Sequence, residues 1–261
     1  MAKPALAASP LKILLSHRPP LGEALRLNLP LLLALICIIS TWAISASSQQ
    51  PDESAVIRTV DAAVRGRLDG IAAYTATEHY TVFRNTDQLH PAAEMKVRTD
   101  YRRETGKTYT VLSESGSEAI RKFVMHAILD RERQINEPGT REHALITSAN
   151  YEMKLVQGGV QHLDGRPCFV LSIHPRQKAP NLIDGTIWVD RRDGTLVQIQ
   201  GTASKTVSFF VGPAQVLREY ANMEGYSMAT HARAVSNSFL LGTTIITIDY
   251  TDYKIDLAYA K

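Results

Sequence analysis

Between Met95 and Glu104 the chain alternates strictly, with Met95, Val97, Thr99 and Tyr101 on one side and Lys96, Arg98, Asp100, Arg102 and Glu104 on the other. A period of two predicts a strand with one dry face and one wet face. Residues 72–84, rich in Thr, Tyr, Val and Phe, and residues 107–114 carry the same signal on either side of it. Two segments change period. Val56, Val60, Val64, Leu68 and Ile71 recur at steps of four, four, four and three, which predicts an amphipathic helix over 52–71, with Asp52 and Glu53 suited to its start. Residues 117–135 form a second helical segment with a stripe of Ile120, Phe123, Val124, Ala127 and Ile128, and Ser117 as its natural cap.

Beyond Asn150 the pattern reads as a meander. Candidate strands are 151–157, 167–174, 182–190, 196–204, 215–223, 226–237 and 243–255, divided by turn signals at Gln157-Gly-Gly, Leu163-Asp-Gly, Arg192-Asp-Gly and Leu241-Gly. Short turns between successive strands require antiparallel pairing. No glycine-rich nucleotide loop or βα rhythm interrupts the series, which excludes a doubly wound parallel sheet. The fold class expected is α+β: a large curved antiparallel sheet, a half-open barrel, with helices covering its concave face, preceded by an N-terminal apolar helix.

That apolar segment changes the domain picture. From Leu27 to Pro51 there is no charge, and residues 29–44 (LPLLLALICIISTWAI) are almost wholly apolar behind a basic flank. The stretch 27–46 just reaches the roughly 20 residues a membrane-crossing helix needs, and Ala43-Ile44-Ser45 and Ser45-Ala46-Ser47 resemble cleavage sites. Residues 1–46 therefore read as a signal peptide or an N-terminal membrane anchor, and residues 47–261 as a single exported β-rich domain. The chain carries +3 overall, but the exported part holds 25 basic against 25 acidic residues, a balance that supplies no attraction to phosphate backbones and points away from nucleic acid. Cys37 lies in the apolar segment behind bulky Ile36, unlike a lipid-modified cysteine, and Cys168 stands alone as a small buried strand residue.

Alternation also indicates which face of the sheet is oily. In 167–174 the more apolar side carries Phe169, Leu171 and Ile173. In 182–190 it carries Ile183, Ile187 and Val189, and in the last strand Ile246, Ile248 and Tyr250 share a side. These nine residues make a continuous apolar lining, either a core filled by helix side chains or the wall of a ligand cavity. Trp188 falls on the strand face opposite Ile187 and is expected to pack beneath a helix. The pair Phe209-Phe210 ends a strand and starts a loop, either as a lip that touches membrane or cargo or as one inward ring and one capping ring.

Catalytic and metal-binding patterns are missing from the sequence. The eight histidines include His79, His126, His143, His162, His174 and His231, without a His-x-His, His-Glu-x-x-His or Cys-x-x-Cys spacing. Asp249, Asp252 and Asp256 lack the glycine and closing glutamate of a calcium loop. Ser113-Glu-Ser-Gly-Ser is a turn-like cluster, not a nucleophile elbow. No enzyme, cofactor or metal is expected.

The runs Asn150-Tyr-Glu-Met-Lys-Leu, Asp164-Gly-Arg-Pro-Cys-Phe-Val-Leu, His174-Pro-Arg-Gln-Lys and Gly185-Thr-Ile-Trp-Val-Asp-Arg-Arg-Asp-Gly-Thr-Leu-Val-Gln-Ile resemble the periplasmic lipoprotein-sorting superfamily. That superfamily comprises the LolA/LolB-like carriers and the lipid-sensing domains of the RseB type. The resemblance spans residues 52–256 in overall order and is motif-like over 150–201. It implies a half barrel of eleven or so strands with a helical lid and an interior that accepts acyl chains. No position matches the lid-latching arginine of the carriers, and no lipobox matches that of the outer-membrane acceptor. Two functions follow as expectations. One is a periplasmic, monomeric binder of a lipid or acylated protein, soluble or tethered to the inner membrane through residues 27–46. The other is an anchored module that docks another envelope protein.

Overall fold

The computed structural model describes residues 51–85, 87–163, 165–179, 181–205, 213–238 and 242–258, with backbone alone at 157–159 and 238. Residues 1–50, Cys37 among them, and the pair Phe209-Phe210 lie outside the described residues. One compact unit holds all of the described elements.

The chain opens with helix α1 (Glu53–Gly70), where the Asp52 side chain accepts hydrogen bonds from Ser54 N and Oγ at 3.0 and 2.8 Å and so satisfies an otherwise orphan donor. Three antiparallel strands follow: β1 (Ile71–Arg84), β2 (Ala93–Arg102) and β3 (Gly106–Gly116). In β2 the alternating residues Met95, Val97, Thr99 and Tyr101 are all buried, as the pattern predicts. The chain then passes through α2 (Glu118–Ile120), a π-helical turn (Arg121–Met125), α3 (His126–Ile135) and a 3-10 turn (Arg141–Ala144). It ends in β4 (Tyr151–Leu163), β5 (Arg166–Pro175), β6 (Ile183–Asp190), β7 (Leu196–Ala203), β8 (Gln215–Met223), β9 (Tyr226–Ser238) and β10 (Gly242–Leu257).

All ten strands belong to one antiparallel sheet, in the order β3-β2-β1-β10-β9-β8-β7-β6-β5-β4. The described residues thus carry ten of the eleven or so strands that the resemblance implies. β4 to β10 form the expected meander, and the last strand pairs with β1. This closure has a topological consequence. β3 and β4 occupy opposite edges of the sheet, so residues 117–150 must travel from one edge to the other, and they carry the second helical segment across one face.

Cross-strand register identifies that face. Met95 pairs with Tyr80, Tyr80 with Ile248, and Ile248 with Ala232. The row continues through Arg218, Ile199 and Ile187 to Leu171. Directly opposed residues in an antiparallel sheet share a side, so this row lies on one surface, apolar throughout except at Arg218. α1 packs Val56 and Val60 onto its β4–β7 half, against Leu171, Ile173, Ile187 and Val189. The crossover packs Met125 and Leu129 onto the β1–β2 half, against Tyr80, Val82 and Met95. Asp61 of α1 ties the two covers together, accepting from Ser148 N and Oγ at 2.8 and 2.5 Å.

Three local differences from the sequence pattern have physical causes. The expected stripe on the second helix is interrupted, with Phe123 71% exposed, because the wide π turn adds a residue and hands the inward positions to Met125 and Leu129. β4 runs on through Gln157-Gly-Gly instead of turning there, and the extra residues form a bulge between Leu155 and Val160 opposite β5. Trp188 stands on the sheet face away from α1 and donates its indole N–H to Gln161 Oε1 at 3.0 Å, so it does not lie beneath that helix.

Candidate ligand-binding cavity

Neither α1 nor the crossover fills the whole concave face. Between them and the sheet lies a cavity of about 440 Å³, within the size range of small-molecule sites. Its apolar wall comes from Val64 and Leu68 of α1, Ile128 and Ile135 of α3, and strand residues that include Ile199 and Val216.

The nine residues read from sequence as a lining divide among three places. Ile183, Ile246, Ile248 and Tyr250 border the cavity. Leu171, Ile173 and Ile187 are fully buried in the core beneath α1. Phe169 and Val189 border a smaller recess of about 250 Å³ beside the start of α1, where the Arg191 guanidinium lies 5.8 Å from the Phe169 ring centre. Cys168 is buried on β5, its thiol donating to the Arg166 carbonyl at 3.4 Å.

The wall also holds charged groups that no catalytic motif marks in the sequence. Glu78 on β1 is 2% exposed and accepts from Tyr80 Oη at 2.5 Å and from Thr99 Oγ1 at 2.7 Å. Lys107 on β3 donates to Glu132 Oε2 of α3 at 3.3 Å, pinning the crossover to the sheet. Burial works against ionisation of Lys107, yet the surrounding tyrosines, Glu132 and Glu78 hold its pKa well above the ordinary lysine value. Burial likewise opposes ionisation of Glu132 and so raises its pKa, but Lys107, Arg218 and a hydrogen bond from Asn136 overcome it, leaving the carboxyl below its usual range. Arg218, in the apolar row, is half-buried among Tyr220, Tyr250 and Glu132, whose charge interactions outweigh desolvation and keep it protonated.

Tyrosines join these charges to the apolar wall. Tyr74 and Tyr101 stack with ring centres 4.9 Å apart, and Tyr253 meets Tyr74 at 5.8 Å. Alternation alone places Tyr253 on the opposite side from Ile246, Ile248 and Tyr250. A register shift between Thr75 and Thr77, with Asp252 at φ 56°, inserts one residue into β10 and turns Tyr253 inward, where its hydroxyl donates to the Ala229 carbonyl at 2.9 Å. Desolvation pushes the Tyr80, Tyr250 and Tyr253 hydroxyls well above the ordinary phenol range, so all three stay neutral.

A LolA superfamily protein from Nitrosomonas europaea matches with 9% identity over 79% of this chain and 94% of its own, at a TM-score of 0.43. An outer membrane lipoprotein-sorting protein domain from Vibrio parahaemolyticus matches with 11% identity over 80% and 94%, at 0.44. MucB, solved in complex with MucA, matches with 13% identity over 79% and 100%, at 0.24. No protein-family model and no curated protein matches the sequence.

Among the described residues, no helix is long and apolar enough to cross a membrane.

Proposed function

We propose that this protein is a non-catalytic binding protein of the cell envelope, exported through residues 1–46, that holds the acyl chain of a lipid or an acylated protein between its curved sheet and its helical cover. The observation that carries this reading is the cavity of about 440 Å³ whose wall combines Val64, Leu68, Ile199, Val216, Ile246 and Ile248. Burying an acyl chain against such a wall contributes about 0.8 kcal/mol per methylene. Affinity then needs no covalent or metal chemistry. The uncharged stretch from Leu27 to Pro51 supports delivery of the domain to the far side of a membrane.

Native mass spectrometry of the full chain purified from its host tests the reading. The expected spectrum shows a bound molecule that is released on collisional activation and has the mass of an acyl-bearing compound. A spectrum of apo protein alone, unchanged after incubation with long-chain amphiphiles, would remove it. Retention of residues 1–46 in membranes together with such an apo spectrum would instead support a docking module.

A further inference from the structure

The chain beyond the leader is electrically balanced, yet the cavity is not. Five basic side chains, Arg67, Lys107, Arg131, Arg141 and Arg218, line it against two carboxylates, Glu78 and Glu132. Arg233 also borders it, but its register partners Leu217 and Thr247 belong to the opposite sheet face. The excess is unevenly placed. Lys107 and Arg218 share Glu132, and Glu78 lies within electrostatic reach of Lys107, so that end is compensated.

At the Tyr101 end the charges are not compensated. Arg141 donates through Nη1 to neutral acceptors, Tyr101 Oη at 3.4 Å and the Arg103 carbonyl. Arg67, one turn beyond Val64 on α1, has no side-chain hydrogen bond or ion pair among the described residues. The Nε atoms of both are buried and unpartnered. Both side chains are half-buried, and shielding part of an unneutralised cation from water is costly; both guanidiniums also act on the same Tyr101 hydroxyl, so they repel each other. Guanidinium is also the side chain whose planar fork fits carboxylate or phosphate oxygens.

Resting on the acyl-binding reading above, we propose that the ligand is an anionic amphiphile, its carboxylate or phosphate headgroup clasped by Arg67 and Arg141 while its tail lies along Ile183, Ile199 and Ile248. The stacked Tyr74-Tyr101 pair forms the boundary between headgroup and tail.

The test titrates the full chain, in nonionic detergent, with two pairs of probes matched in tail: oleate against oleyl alcohol, and oleoyl lysophosphatidic acid against mono-oleoylglycerol. Bound ligand is counted by native mass spectrometry. Wild type is expected to bind the anionic member of at least one pair roughly tenfold or more tightly, as charge-assisted hydrogen bonds imply, and the pair that discriminates identifies carboxylate or phosphate. Arg67→Gln and Arg141→Gln are each expected to bring that ratio toward one while the neutral probe still binds. Equal binding of charged and neutral probes by wild type would overturn the headgroup clasp and leave the acyl-binding reading standing. Binding of no probe would overturn both. The wild-type comparison needs no variant, so a substitution that fails to fold does not shield the proposal.

Discussion

Tyr80, Thr99 and Glu78 set the cost of placing charge inside this sheet. Both Glu78 oxygens are engaged, by Tyr80 Oη and Thr99 Oγ1, in a position 2% exposed. Tyr80→Phe removes one donor and leaves a buried oxygen without it, so a loss of about 1–3 kcal/mol in urea-unfolding stability is expected. Thr99→Val is expected to cost a similar amount. Glu132 yields a pH prediction. Its folded pKa lies below the ordinary 4.5, so its contribution to stability is complete above that pH and is lost as pH falls through the depressed folded value. Lys107, raised above 10.5, contributes fully below that pH, so the pair holds through the neutral range. Melting temperature should therefore fall less steeply below pH 4.5 in Glu132→Gln than in wild type. Part of this site was legible: Glu78 sits in phase with Tyr74, Ala76, Tyr80 and Val82, and Arg218 in phase with Val216 and Tyr220, both charged residues where apolar ones belong. Their partners were not, because Lys107 and Glu132 meet only once the crossover has folded back over the sheet.

Single elements show where periodicity is a sufficient guide and where backbone detail replaces it. β2 and α1 appear where their periods of two and four place them, since each has one continuous covering partner. The π turn at Arg121–Met125 and the bulge at Asp252 each shift the phase by a residue, and neither has a composition signal. The order of the sheet was equally hidden. Hairpin turns specify neighbours along the chain, whereas the pairing of β1 with β10 depends on contacts far apart in sequence. Gly185 and Gly201 explain how β6 and β7 approach so closely: they are register partners, and a Cβ on Gly185 would lie 2.2 Å from the Gln200 carbonyl oxygen and 2.5 Å from Gly201 Cα. Backbone cannot yield as a side chain does. Gly185→Val is therefore expected to destabilise by at least about 2 kcal/mol. Gly66, inside α1 with nothing within 4 Å of a built Cβ, supplies the contrast. Gly66→Ala is expected to stabilise by about 0.5–1 kcal/mol through helix propensity, both measured by urea denaturation.

At the scale of the whole molecule, the cavity follows from topology. A meander that ends by pairing β10 with β1 leaves β3 and β4 at opposite edges, and the connection between them has to cross the concave face. α1 covers the β4–β7 half and α3 the β1–β2 half. Where the cavity meets β9, small residues, Ala229, Ala232 and Ala234, stand where large ones would close the gap. The void is therefore located by residue size as much as by helix placement, and this allows occupancy to be separated from folding. Ala234 pairs with Ile246 and Val216 on the cavity face, so Ala234→Phe would place a ring in the space of the tail. A ligand that binds only the folded state stabilises it by RT ln(1 + [L]/Kd), about 2.7 kcal/mol at a hundredfold excess over Kd. Wild type is expected to show a melting temperature that climbs with added amphiphile. Ala234→Phe should melt near the unliganded wild-type temperature and respond little to the same additions. A variant that folds and still climbs as wild type does would place the bound molecule somewhere other than beneath β8, β9 and β10.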